Sequence, residues 1–197
     1  MDGFGVWPGS LEIRQEGGAR VLLGTFPYGT LATISDRGTV RKETILPRAF
    51  RYAIEERERK IDLLVGHEFG KPIASRQSGT LAIADSDDAV TFEATLPPEE
   101  LTPSWVTDAE KAIANGTMTG LSPGFRVPPR NVVANGESLA PEPGNPGVMI
   151  RQVRAGVLRE MSVVTAGAYV DAFVELRAEL FPQANAVILP GAMTLWL

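Results

Sequence analysis

Hydrophobic and polar positions alternate most cleanly in AVTFEATL. Val90, Phe92, Ala94 and Leu96 fall on one side, with Thr91, Glu93 and Thr95 on the other. A period of two predicts a half-buried strand. Similar short runs recur along the chain. ARVLLGTFPYGTLATIS predicts two strands, Val21 to Phe26 and Leu31 to Ile34, around a Pro-Tyr-Gly-Thr turn. IDLLVGH, KPIASR, GTLAIADS, TMTGLSPGF, VMIRQV, GVLREMSVVTAG and AFVEL add further strand signals. The Pro/Gly/Asn-rich stretch from Pro128 to Gly147 reads as a long loop.

Only two segments switch to helical spacing. Residues 47–60 predict a helix with Pro47 at its first position and Phe50, Ala53 and Ile54 inward. The run Glu55, Glu56, Arg57, Glu58, Arg59, Lys60 reads as its solvated face. Residues 102–115 predict the second helix. Thr102 serves as N-cap, Trp105, Ala109, Ala112 and Ile113 form the buried stripe, and Gly116 stops it. Many short strands with two helices point to a mainly β, α+β fold, a closed or nearly closed antiparallel β barrel flanked by helices. Residues 1–18, Gly-rich and aperiodic, read as a loose leader, 19–177 as the folded domain, and 178–197 as an apolar tail.

Composition narrows the chemistry. The chain of 197 residues has no cysteine and a single histidine. Disulfides, a thiol nucleophile and thiolate metal sites are therefore ruled out, and a zinc site would need almost only carboxylates. A net charge of −5 with interspersed signs offers no broad basic face for nucleic acid. No apolar run approaches the length of a membrane span, and the N-terminus lacks the basic-then-apolar order of a secretory signal.

The one imidazole, His67, closes the β segment DLLVGH. If the protein uses an imidazole base, this is it. Taken alone, it better suits a satisfied polar residue beside a strand. Ser122 in GLSPGF is a candidate nucleophile or simply part of a Ser-Pro-Gly turn. In GVLREMSVVTAG, period-two geometry places Leu158, Glu160, Ser162 and Val164 on one face. A carboxylate is the better partner for an imidazolium, so Glu160 is preferred to Ser162 as third member. Its alternative is a surface residue paired with Arg159 or Arg151.

HEFGKPIAS, GLSPGF and LREMSVVTAGAYVDAFVEL, in this order, resemble the maturation protease family of tailed-phage proheads. The base segment matches through His67, Glu68, Lys71 and Pro72. The serine frame matches through Gly120, Leu121, Ser122, Gly124 and Phe125. The third segment matches through Glu160, Ser162, Val164 and Thr165, although Gly167 stands where the family has a proline. The resemblance spans about Val21 to Leu176. It implies a herpesvirus-protease-like fold and a serine endopeptidase with Ser122, His67 and Glu160 as catalytic residues and no cofactor or metal. It also implies the phage major capsid protein and its scaffold segment as partners, with self-association and self-processing. The setting would be the procapsid assembling in the host cytoplasm, or a bacterium carrying the prophage. The alternatives are a non-catalytic, protease-like scaffold or shell component, and an unrelated β-barrel binding module. Pro123 has no N–H, so the residue after the serine cannot serve an oxyanion, and donors must come from elsewhere, a backbone amide or an arginine between Arg151 and Arg159. The tail from Leu180 to Leu197 is expected to pack on a partner subunit or on the chain's own barrel, or to be trimmed by the enzyme.

Overall fold

The computed structural model describes residues 10–16, 19–36 and 39–165. Four strands come first: β1 (Ser10–Glu16), β2 (Ala19–Pro27), β3 (Leu31–Asp36) and β4 (Thr39–Ile45). Helix α1 (Arg51–Glu55) follows, then β5 (Asp62–Val65), β6 (Glu68–Ser75), β7 (Leu81–Asp85) and β8 (Ala89–Thr95). A short 3-10 turn (Glu99–Leu101) leads into α2 (Ser104–Ala114). The described chain ends with β9 (Gly120–Arg126), β10 (Glu137–Glu142), β11 (Asn145–Val153) and β12 (Val157–Val164).

These strands form three separate four-stranded sheets, in the orders β1-β2-β8-β7, β10-β11-β4-β3 and β6-β5-β12-β9. The expected closed antiparallel barrel is therefore wrong. None of the sheets closes on itself, and β4 pairs with β11, and β5 with β12, in parallel. Alternation along a strand reveals which side is buried but not which strand lies beside it, and parallel partners can be far apart in sequence.

Local expectations fared better where packing reinforced them. β8 buries Val90, Phe92 and Ala94 and exposes Thr91, Glu93 and Thr95. α2 buries Ala109 and Ile113 together with Val106, and Gly116 stops it at φ +75°. Thr102 is not its N-cap: Pro103 takes that place without a side-chain bond. The Thr102 hydroxyl instead donates to the Pro98 carbonyl and accepts from Arg20, whose guanidinium also clamps Glu110. The first helix shrinks to five residues. Arg48 sits at φ +62°, which breaks any helix starting at Pro47, and the charged run after Ile54 has no apolar stripe to hold it down. Ser10–Glu16, inside the supposed leader, pairs with β2 as β1. The supposed loop contains β10, hairpinned to β11. AFVEL, Gly167 and the apolar tail lie outside the described residues.

One apolar core joins the sheets through residues such as Leu11, Leu22, Phe92, Ile45, Leu63, Leu121 and Met161. Phe50, fully buried before α1, packs at ring-centroid distances of 6.5 Å from Phe26 and 6.1 Å from Tyr28, both tilted, and 5.2 Å edge-on from Phe125 on β9. Helix α2 braces the other end of that sheet, where the Trp105 indole donates to the Pro72 carbonyl at 2.9 Å.

Phe50→Ala should cost about 3–5 kcal/mol of unfolding free energy, measured by denaturant titration. A loss below about 1 kcal/mol would show that the cluster is not packed as described.

Candidate active site

The sheet β6-β5-β12-β9, with the turn joining β5 to β6, carries His67, Ser122, Glu160 and Ser162. β12 is its centre, parallel to β5 on one side and antiparallel to β9 on the other. Ser162 lies directly opposite Ser122, and Glu160 opposite Gly124. Directly paired residues share a face, so the two serines stand side by side, with β-carbons about 4.5–5.5 Å apart. The opposite face, Leu121 and Phe125 from β9 with Leu158, Met161 and Val163 from β12, belongs to the core.

Leu158 therefore does not share the face of Glu160, contrary to the strict alternation expected from the sequence. The register shifts between Leu158 and Glu160, which pair with the adjacent residues Phe125 and Gly124. The bulge accommodates Arg159 as an extra residue and turns it to solvent, while Leu158 goes into the core and Glu160 to the other side. Glu160 is not a surface residue paired with an arginine: it is 2% exposed. Its side chain lies over Gly124, where an added β-carbon would sit 1.9 Å from Oε1. Ser122 is not in a turn either, but fully buried within β9.

His67 reaches this face from the β5–β6 hairpin. The strand stops at Val65, which pairs with Glu68, leaving Gly66 and His67 as a two-residue turn rather than a strand end. Their φ angles of +59° and +63° are those of a type I′ turn. Glycine adopts this conformation freely, whereas histidine does so at some cost, which the surroundings must offset. Two bonds to β12 hold the turn down. Gly66 N–H donates to the Val163 carbonyl at 2.9 Å, and His67 N–H to Ser162 Oγ at 2.9 Å. Beyond the turn, Glu68 and Lys71 form an exposed ion pair at 2.9 Å, a contact of small energetic weight.

So anchored, the His67 ring places Nδ1 2.7 Å from Glu160 Oε1. Glu160 Oε2 accepts the Ser162 hydroxyl at 2.7 Å. A carboxylate only accepts, so the proton in the first contact belongs to Nδ1, and the lone pair of the neutral ring belongs to Nε2. The His67 side chain is 14% exposed and that of Glu160 3%, so water competes little for this contact. This arrangement provides an oriented base whose cationic form has a carboxylate beside it.

β9 is an edge strand, where a proline such as Pro123 is tolerated because no ladder bond is lost. Of the arginines considered as oxyanion donors, Arg151 is engaged by Glu43 and Glu137, and Arg154 by Ser138 and Gln152. Both belong to the loop and strand of another sheet. Among the described residues, no group of histidine and acidic side chains could hold a metal ion, and no helix is long and apolar enough to cross a membrane. The αL turn at His67, the bulge at Arg159 and the space over Gly124 escaped the sequence reading. Only the Gly-His dipeptide between two strand signals hinted at the first.

Gly124→Ala is expected to push the Glu160 carboxylate off its position, because the new methyl group overlaps Oε1. The lone imidazole makes this measurable. The 15N-detected His67 signals should lose the Nδ1–H tautomer that the Glu160 contact implies for the wild type. An unchanged spectrum in a folded variant would contradict the described packing.

A family model for the caudovirus prohead serine protease matches residues 28–186, from the end of β2 through the whole site sheet and beyond the described residues, β1 and β2 lying outside it. No curated protein and no solved structure matches the chain. The matched region covers most of the sequence and includes all three candidate segments, so the chain belongs to the caudovirus prohead serine protease family, the proteases of phage capsid maturation.

Proposed function

We propose that the protein is a serine endopeptidase in which Ser122 is the nucleophile, His67 the general base and acid, and Glu160 the residue that orients His67. The observation that carries this reading is the 2.7 Å contact between His67 Nδ1 and Glu160, on the sheet face where Ser122 stands opposite Ser162. In the acylation step, Ser122 Oγ attacks the scissile carbonyl carbon and its proton passes to His67 Nε2. The imidazolium so formed is stabilised by the Glu160 carboxylate. Collapse of the tetrahedral intermediate breaks the C–N bond, and His67 returns the proton to the leaving amine. Water, deprotonated by the same ring, then hydrolyses the acyl-enzyme and releases Ser122.

The substrates in this reading are the phage major capsid protein, its scaffold segment and the enzyme's own termini, cut inside the assembling procapsid. Family membership supports the capsid-directed role.

Purified wild-type protein, concentrated alone and with its cognate capsid and scaffold proteins, should yield defined fragments by intact-mass analysis. Ser122→Ala should reduce cleavage by about 10⁴-fold or more, and Glu160→Gln by roughly 10³- to 10⁴-fold. If wild type leaves itself and its cognate proteins intact for days, the enzymatic reading fails. The protein would then be a protease-like shell component.

A further inference from the structure

The catalytic reading leaves one fully buried polar residue of the site face without a role. Ser162 stands on the central strand, 0% exposed, beside the nucleophile candidate and under the His67 turn. Its hydroxyl has one proton and two lone pairs. The proton goes to Glu160 Oε2 at 2.7 Å, and a lone pair accepts the His67 backbone N–H at 2.9 Å. Glu160 Oε1 meets the His67 ring at 2.7 Å. These three contacts close a ring that runs from the His67 backbone through Ser162 and Glu160 to the His67 imidazole.

Each link has a distinct geometric consequence. A carboxylate held through one oxygen can still rotate about its last side-chain bond, whereas one held through both is fixed in plane and position. The Ser162 proton supplies the second hold. The turn that presents the imidazole is in the left-handed region at φ +63°, which a non-glycine residue keeps only when its surroundings hold it there. The bond from His67 N–H to Ser162 Oγ is one such hold, and that from Gly66 N–H to the Val163 carbonyl is the other. A single hydroxyl thus sets both ends of the base–carboxylate contact.

We propose that Ser162 is a positioning residue of the proteolytic site, fixing the Glu160 carboxylate and the backbone of His67 at once and so setting the tautomer and place of the imidazole. This builds on the proposed roles of His67 and Glu160. It assigns Ser162 neither the nucleophile's part nor that of a third triad member. The short β-hydroxyl suits the task because it donates and accepts within one residue's reach. Alanine removes both bonds and leaves the buried Glu160 Oε2 and the half-buried His67 N–H without this partner.

The test compares wild type, Ser162→Ala, and the near-isosteric pair Ser162→Thr and Ser162→Val. Two readouts are taken from each folded variant. The first is the 15N spectrum of the lone imidazole across pH, and the second is the rate of inactivation by diisopropyl fluorophosphate across the same range. The expected result is loss of the Nδ1–H tautomer in the Ala and Val variants and inactivation slowed on the order of 100-fold. Ser162→Thr should recover most of both, with a pH profile shaped like that of the wild type. The Thr/Val pair has nearly equal volume, so any strain from the larger side chain cancels between them. The proposal is overturned if Ala or Val keeps the wild-type tautomer and pH profile, or if Thr and Val behave alike. If wild type itself does not react with the probe, the proteolytic reading fails separately, and the imidazole spectra alone decide whether Ser162 positions His67.

Discussion

The parallel pairing of β5 with β12 is the constraint on which the site depends. It sets Asp62 beside Glu160 and Leu64 beside Ser162, and so fixes where the Gly66–His67 turn sits above the sheet. From there the imidazole folds back onto the face that carries Glu160. β9 completes the arrangement from the other side by laying Ser122 against Ser162. Segments separated by more than ninety positions in sequence thus meet through backbone ladders rather than flexible loops. A site held by strands keeps its geometry better than one assembled on loops.

The same sheet has to be apolar on its other side. Leu63, Leu121, Met161 and Val163 face a core that also includes Phe50 and the sheet built around β2. Two features reconcile core and site on neighbouring positions. The bulge at Arg159 lets Leu158 enter the core while Glu160, two positions on, joins the polar face. Gly124 leaves the volume that the Glu160 side chain occupies. His67, Glu160 and Ser162 in turn satisfy one another. Glu160 uses both oxygens, and Ser162 both donates and accepts, as a buried network must if it is to be stable.

Much of this was legible in the sequence at the level of single residues. With one histidine, the search for a base had one answer. The spacing of Glu160 and Ser162 placed them together on a strand face, and both touch His67. The alternation of β8 and the stripe of α2 were visible because burial enforces them locally. The pairing of strands was not. A closed antiparallel barrel and three open sheets with two parallel pairs share the same local alternation, and the difference lies in contacts distant in sequence. The left-handed histidine and the bulge were hidden for a related reason. Each is a departure from regular geometry that the neighbouring strand imposes, and periodicity assumes regular geometry.

The most direct measurement of the central claim is peptide mapping of the adduct formed with a fluorophosphonate probe, in wild type and in His67→Ala. The account predicts a single phosphonylated residue, Ser122, labelled rapidly in wild type and negligibly without the imidazole. An adduct on another serine, no adduct at all, or equal labelling of Ser122 in His67→Ala would contradict it.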